Sequence, residues 1–232
     1  MTISPVLYSQ TFTNVAQSMG LNHTFTSGFN GGGVTFFDFN NDGSDDIIFS
    51  SSLGSYPDIE RNDITHFTNV NQSYNILDYW ESKTILCVDY DNDGDKDIFL
   101  CNFRGQNKLY KNTGSTYSDV TQQSGIMMND SLPTTAALWL DYDRDGWLDV
   151  YVGVYSGFAS NTLLPNRLYR NLHNGTFLDV TSSSNAGNIG NKVLALSVID
   201  YNNDFWPDIY IASDRRVGNT MLKNNGNGTF KT

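Results

Sequence analysis

The chain has 232 residues, of which 39% are hydrophobic and 13% aromatic, so it can bury a sizeable core in one large or two small domains. Its formal net charge of -11 argues against binding to nucleic acid or to an anionic membrane surface, because both partners require a basic protein surface. No run of about 18 apolar residues occurs, and the opening residues lack the basic and apolar stretches of a signal peptide, so the sequence predicts neither a membrane span nor a leader.

Four acidic segments recur along the chain and align with one another without gaps. They start 51, 52 and 59 residues apart and contain 16 of the 25 acidic residues, so the negative charge is concentrated in them. Short apolar runs rich in β-branched and aromatic residues flank each segment, which predicts a buried strand on either side of an acidic loop. The segments are DFNNDGSDDI (residues 38–47), DYDNDGDKDI (89–98), DYDRDGWLDV (141–150) and DYNNDFWPDI (200–209).

A second motif follows each acidic loop and places apolar positions on both sides of an Asn/Gly turn, which is typical of a β-hairpin. One unit therefore spans about 55 residues with four short strands, the size of a propeller blade. We predict an all-β fold, a β-propeller of four blades that forms a single domain over residues 1–232. The copies are NKLYKNTGSTYSDV (107–120), NRLYRNLHNGTFLDV (166–180), NTMLKNNGNGTF (219–230) and the weaker DIERNDITHFTNV (58–70).

Three smaller features complete the predicted organisation. An insertion at residues 156–165 predicts a longer surface loop in the third unit, and helix is limited to single turns at residues 16–21 and 121–126. The two cysteines, Cys87 and Cys101, flank the second acidic segment. Two buried thiols and a cross-strand disulfide both remain open, since a disulfide requires matching Cβ vectors.

The acidic loops have the residue types of a calcium site. Numbered from the first aspartate, each loop has carboxylate or amide oxygens at positions 1, 3, 5 and 9, and a main-chain carbonyl at position 7 can turn inward. A site of oxygens only, rich in carboxylates, favours calcium over zinc or copper. An EF-hand would need Glu at position 12, where this chain has Phe49, Leu100, Val152 and Ile211. The alternative is an acidic turn that binds no metal.

The fourth loop departs from the other three. Position 6 is glycine in the first three loops but Phe205 in the fourth, and a bulky residue at a position that needs positive φ is costly. Position 3 is Asn202 there and Asn40 in the first loop, which keeps Gly43. We therefore predict that the fourth calcium site is the weakest.

Calcium loops of this spacing, alternating with motifs such as NRLYRNLHNGTFLDV, resemble the FG-GAP/VCBS repeat family. That family includes the propeller of integrin α subunits and the ASPIC/UnbV-like secreted propellers, which GGGVTFFDFNNDG (residues 31–43) is similar to. The resemblance covers nearly the whole chain and implies a β-propeller, calcium in the blade loops and an extracellular or cell-surface location. Family members commonly have seven blades. Closure of four units as one ring, pairing with a second copy and membership of a larger propeller therefore all stay open.

The resemblance also implies the calcium ligands, namely the side chains at positions 1, 3, 5 and 9 and the carbonyl at position 7. The first two loops would use Asp38, Asn40, Asp42, Ser44 and Asp46, then Asp89, Asp91, Asp93, Asp95 and Asp97. The last two would use Asp141, Asp143, Asp145, Trp147 and Asp149, then Asp200, Asn202, Asp204, Trp206 and Asp208.

No catalytic group stands out from the sequence. GxSxG, P-loop and CxxC motifs are absent, and His23, His66 and His173 lack metal-type spacing. His66 and His173 lie in the turn motif, where solvated histidines are expected. The sequence favours a calcium-binding extracellular adhesion or ligand-binding module that recognises protein or glycan. The alternative is a polysaccharide-active enzyme, a lyase or hydrolase, on the same scaffold.

We predict the ligand-contact surface at the face opposite the calcium loops. The segments that lead from one blade to the next lie there, at residues 26–33, 75–83, 127–135 and 185–192. Tyr79, Trp80 and Glu81 are the best candidates, because an exposed aromatic ring can stack on a sugar or anchor a partner. The alternative for Trp80 is packing between blades.

Overall fold

The computed structural model describes residues 11–26, 28, 31–126, 132–157, 163–214 and 217–232. These residues form four antiparallel sheets of four strands, each a simple up-and-down meander. The first two sheets are β1 (Val34–Phe37), β2 (Asp46–Phe49), β3 (Asp58–Asn62) and β4 (Phe67–Asn69), then β5 (Glu81–Val88), β6 (Asp97–Arg104), β7 (Lys108–Asn112) and β8 (Tyr117–Asp119). The last two are β9 (Thr134–Leu140), β10 (Asp149–Val154), β11 (Arg167–Asn171) and β12 (Phe177–Asp179), then β13 (Val193–Ile199), β14 (Asp208–Ser213), β15 (Thr220–Asn224) and β16 (Phe230–Lys231).

Each acidic loop closes the first hairpin of its sheet in the same register. The residue before the loop pairs with the ninth residue of the loop, as in Val88 with Asp97 and Leu140 with Asp149. The second strand of the sheet is the most deeply buried, and every residue of β10 is buried. The predicted unit of strand, acidic loop and strand is therefore confirmed, and the predicted hairpin forms the third and fourth strands.

The sheets pack on one another in chain order. Their first strands meet in succession, β1 with β5, β5 with β9 and β9 with β13. An apolar cluster fills the space between each pair of successive sheets, around Ile98, Phe99 and Tyr151 respectively. This is a propeller-like arrangement, although β1 and β13 make no comparable contact in the part of the chain that is described.

The fourth sheet leaves exposed the side chains that the third sheet buries. Leu140, Tyr142 and Tyr151 of the third sheet lie beneath the fourth and are 3%, 4% and 0% exposed. Their counterparts in the fourth sheet, Ile199, Tyr201 and Tyr210, are 43%, 50% and 37% exposed. The far face of the fourth sheet thus has the composition of an interface between sheets, with no sheet of the described chain covering it.

Helix is confined to single turns. The predicted turns are present as a 3-10 turn (Gln17–Met19) and a short helix, α2 (Thr121–Ser124), and a further one, α1 (Asn71–Tyr74), was not predicted. The turn α1 ends at Asn75 with φ 57°, where α2 ends at Gly125, so an asparagine replaces the glycine signal for a helix end. No helix among the described residues is long and apolar enough to cross a membrane.

The two cysteines are free, so the disulfide alternative is wrong. Cys87 pairs with Ile98 and Cys101 with Thr84 in the β5–β6 ladder, so the two thiols do not face each other. Burial raises the pKa of the Cys101 thiol to about 12, which keeps it protonated and unreactive.

Candidate functional site

The aspartate at position 1 organises each acidic loop. In all four loops its Oδ1 accepts the N–H of position 5 and its Oδ2 accepts the N–H of position 6, at 2.7–3.1 Å. The aspartate at position 5 then accepts the N–H of position 7 at 2.9–3.0 Å. These bonds wind the loop tightly, so that its side-chain oxygens stay on one side. The residues at position 1 are Asp38, Asp89, Asp141 and Asp200.

The aspartate at position 9 is fully buried in every loop, with 0% exposure. Its Oδ2 accepts the N–H of position 2 at 3.1–3.3 Å. Its Oδ1 accepts the N–H of an asparagine that ends the third strand, at 2.7–2.8 Å. Each carboxylate therefore joins the acidic loop to the hairpin motif. The pairs are Asp46 with Asn62, Asp97 with Asn112, Asp149 with Asn171 and Asp208 with Asn224.

Burial perturbs two of these carboxylates strongly. It raises the pKa of Asp97 to about 7 and that of Asp149 to about 8, although each accepts two main-chain N–H groups that favour the ionised form. The nearby charges of Asp91 and Asp143 act in the same direction as burial. Without a cation, ionised carboxylates are therefore costly at these two places.

The second and third loops bring three carboxylates together. One oxygen each from Asp89, Asp91 and Asp97 lies within 4.8 Å of the others, and Asp141, Asp143 and Asp149 repeat the arrangement. Oδ1 of Asp91 and Oδ1 of Asp143 are buried and have no hydrogen-bond partner among the described residues. Buried oxygens normally have a partner, so these two atoms are positioned to hold a metal ion. The donor set, oxygens alone at this spacing, fits calcium.

The first and fourth loops differ at position 3. Asn40 and Asn202 donate through Nδ2 to the aspartate at position 5, at 2.9 and 2.8 Å, and accept its N–H. The asparagine amide at position 3 therefore has hydrogen-bond partners within its own loop. The aspartates at position 3 of the second and third loops, Asp91 and Asp143, each keep one oxygen without a partner in the described part of the chain. The structure therefore assembles two of the four predicted sites as carboxylate clusters. The carbonyls of Ser44, Asp95, Trp147 and Trp206 stay predicted ligands in all four loops.

Basic side chains lie against these carboxylates, which the sequence analysis missed. Lys111 contacts Asp91, and its Nζ lies 3.0 Å from Asp93. Arg170 Nε lies 2.7 Å from Asp143, and Lys223 Nζ lies 3.4 Å from Asp204. The signal was present as a Lys or Arg before the last asparagine in LYKN, LYRN and MLKN. In the sequence this residue is part of the hairpin motif, and only the fold places it at the acidic loop.

The two histidines of the turn motif differ in their surroundings. The His66 side chain is 57% exposed, as predicted for a solvated histidine. His173 is 42% exposed, but its Nε2 lies 2.8 Å from Asp145 and its ring stacks on Trp147 at 4.9 Å. It therefore belongs to the surroundings of the third loop.

Neighbouring loops are linked across the sheets. Asn171 Nδ2 in the third sheet donates to the Tyr90 carbonyl in the second at 2.9 Å, and Asn224 Nδ2 donates to the Tyr142 carbonyl at 2.8 Å. In addition, the guanidinium of Arg144 lies 5.2 Å from the Trp206 ring. Residues at or beside one acidic loop therefore contact the neighbouring sheet directly.

The opposite end of the sheets holds the predicted contact residues. Tyr79 and Trp80 are 54% and 43% exposed, as expected for such a surface. Glu81 is not available, because it is 1% exposed and forms an ion pair with Lys83 at 2.6 Å. Trp80 covers Gly105 of its own sheet, where an added Cβ would lie 2.2 Å from the indole. The segments at 26–33 and 127–135 lie partly outside the described residues.

Repeated antiparallel sheets in chain order, each with an acidic loop on its first hairpin, define a propeller-type repeat protein. A family model described as FG-GAP-like repeat matches residues 89–152 and 141–211, which together span more than half of the chain. The chain belongs to this FG-GAP-like repeat family, as the sequence analysis predicted. No curated protein matches it in sequence.

A solved structure supports the fold. A lectin from Agrocybe aegerita, described by its specific recognition of non-reducing terminal N-acetylglucosamine, superposes with a TM-score of 0.51 at 18% identity. The likeness covers 94% of this chain and 55% of the lectin, so this chain spans about half the length of that protein.

Backbone strain separates the fourth loop from the others. Gly43, Gly94 and Gly146 have φ of 88°, 96° and 89°, and Phe205 is held at 66°. Position 4 also has positive φ in every loop, which was missed although it is asparagine in three of the four.

We expect Phe205→Gly to raise the free energy of unfolding by about 1 kcal/mol, because it removes left-handed strain from a side chain that is 78% exposed. Gly94→Phe should lower it by about 1–2 kcal/mol. Urea unfolding with and without calcium measures both changes. A lower urea midpoint for Phe205→Gly would contradict the strain argument.

Proposed function

We propose that this protein is a calcium-binding, extracellular or cell-surface module that recognises a protein or glycan ligand, with calcium in a structural role. The observation that carries the calcium proposal is the pair of buried, unpartnered oxygens, Asp91 Oδ1 and Asp143 Oδ1, each inside a cluster of three carboxylates. The proposed extracellular or cell-surface location follows from the need for calcium, because calcium is abundant outside cells.

Calcium would bind through the aspartate or asparagine oxygens at positions 1, 3, 5 and 9 and the carbonyl at position 7. About four ions would bind, with the fourth site the weakest. A divalent ion stabilises the ionised form of the buried Asp97 and Asp149, whose pKa burial raises to about 7 and about 8. Since the carboxylate at position 9 joins the loop to the third strand, the ion would stabilise the whole sheet.

We expect EDTA to lower the Tm of the protein by several degrees or more and added calcium to restore it, because an ion that binds only the native state stabilises that state. Magnesium should restore it less well, since it demands octahedral geometry and retains its waters. Differential scanning calorimetry measures the effect. A Tm that is indifferent to EDTA and calcium would exclude a structural role for the metal.

We expect Asp93→Ala to lower the calcium-loaded Tm more than Asp204→Ala. The second loop has an assembled carboxylate cluster and Gly94, whereas the fourth has Asn202 and the strained Phe205. Asp179→Asn is the control, since this exposed aspartate lies outside the loops and asparagine keeps the acceptor for the Thr181 N–H. Equal or reversed losses in the same calorimetric scan would sink the ranking.

The ligand-binding part of the proposal draws on the fold. The lectin that superposes on this chain is described as recognising N-acetylglucosamine. Exposed Tyr79 and Trp80, at the ends opposite the acidic loops, offer aromatic surface of the kind that sugars and protein partners contact. We therefore place ligand recognition at that end of the sheets.

We also propose that the far face of the fourth sheet binds the first sheet of a second copy. Val34 and Phe36 in β1 are 53% and 62% exposed, and they match Ala137 and Trp139, which pack on the preceding sheet. The exposed face of the first sheet thus has the residues with which a sheet packs on the preceding one. The exposed face of the fourth sheet has the residues with which a sheet packs on the following one. The contact would be head-to-tail and would extend the existing order of sheets.

We expect light scattering after size-exclusion chromatography to give a mass greater than one chain, rising with protein concentration. Ile199→Asp should return the protein to one chain, because it places a charge on this exposed apolar face. Leu178→Ala, an exposed position on the third sheet, should leave the mass unchanged. A mass of one chain at every concentration would rule out this contact.

A further inference from the structure

A polar pocket lies beside the first sheet, at the end opposite the acidic loops. It has a volume of about 230 Å³ and lies between the segment before β1 and the connection from β2 to β3. Hydroxyl groups dominate its wall, among them Ser51, Ser52, Ser55 and Tyr56. Among the described residues that line it there is no lysine or arginine.

Hydrogen bonds between two connections hold the pocket in shape. The N–H of Gly54 donates to the Tyr79 carbonyl at 2.9 Å, and the Ser51 hydroxyl donates to the Trp80 carbonyl at 2.6 Å. The β2–β3 connection is therefore fixed to the segment that leads into the second sheet. A ligand would meet a preformed surface, which lowers the entropic cost of binding.

A histidine and an aspartate form the polar centre of the pocket. His23 Nδ1 lies 2.6 Å from Asp58 Oδ2, and the imidazole stacks on the Phe49 ring at 4.5 Å with an angle of 4° between the planes. The side-chain amides of Asn69 and Asn71 lie 3.4 and 3.5 Å from the other oxygen of Asp58. The carboxylate is 34% exposed and is held in a fixed orientation, so it can accept hydrogen bonds from ligand hydroxyl groups.

One tyrosine lines the pocket and a second packs against it. Tyr56, which lines it, lies with its ring centroid 4.2 Å from that of Tyr79, and their hydroxyl groups are in contact. Tyr79 remains 54% exposed. A flat apolar ring beside a cluster of hydroxyl and carboxylate acceptors matches a sugar, which presents an apolar C–H face and a rim of hydroxyl donors.

We propose that this pocket binds one residue of a neutral saccharide, with Tyr79 as the stacking ring and Asp58 as the principal acceptor. The absence of lysine and arginine from its wall disfavours uronic acids and other anionic sugars, whose carboxylates need a cationic partner. This inference rests on the proposed ligand-binding function, and it adds the site and the chemical class of the ligand.

Calorimetric titration of the calcium-loaded protein with chitotriose, mannotriose, lactose and trigalacturonate tests the class of ligand. We expect at least one neutral oligosaccharide to bind and trigalacturonate not to bind. Tyr79→Ala and Asp58→Asn should each weaken the neutral saccharide at least tenfold. Leu178→Ala and Asp179→Asn, exposed positions on the third sheet, should leave the affinity unchanged.

Melting scans show which variants are folded, and Ser55→Ala replaces any variant that is not. If a neutral saccharide binds wild type and all pocket variants equally, the pocket is wrong and the ligand-binding function stands. If trigalacturonate binds best, the neutral class is wrong. If no saccharide binds, the inference fails, whereas the calcium proposal is judged separately by the response of the Tm to EDTA.

Discussion

The buried aspartate at position 9 is the constraint on which the rest of this structure depends. A carboxylate with no exposure to water must be held by donors, and here two main-chain N–H groups hold it, one from the acidic loop and one from the third strand. This single side chain therefore fixes the first hairpin relative to the second. The same bonds occur in all four sheets, which explains why four segments with divergent flanks fold alike.

The asparagine that meets this carboxylate also connects the sheets. Its main-chain N–H serves its own sheet, whereas the side chains of Asn171 and Asn224 reach carbonyls in the preceding sheet. The same interfaces between sheets are therefore held by these hydrogen bonds near the acidic loops and by the apolar clusters. At the other end, the hydrogen bonds from Gly54 and Ser51 join the first two sheets beside the polar pocket. Contacts between successive sheets are thus present at the acidic loops, in the apolar clusters and beside the polar pocket.

Features that repeat along the chain could be predicted from the sequence, and features that depend on distant residues could not. Spacing within the loops predicted the strands, the hairpins and the carboxylate groups around Asp91 and Asp143. Lys111 and Arg170 contact these carboxylates but belong to the hairpin motif. The spacing within the acidic loops therefore could not predict these contacts. Glu81 was predicted as a contact residue because of its place between two blades, but Lys83 pairs with it in a buried ion pair. The polar pocket was missed because its residues come from separate segments that show no shared pattern.

The two assembled carboxylate clusters lie in the two middle sheets, whereas the outer sheets have asparagine at position 3. In the part of the chain that is described, each middle sheet also packs against a sheet on both faces, and the first and fourth sheets each pack against one neighbour. Among the described residues, each sheet is therefore coupled mainly to its immediate neighbours in chain order, and the two middle sheets have the most such coupling. Within one copy of the chain, the first and fourth sheets are then expected to open at a lower free energy than the two middle sheets.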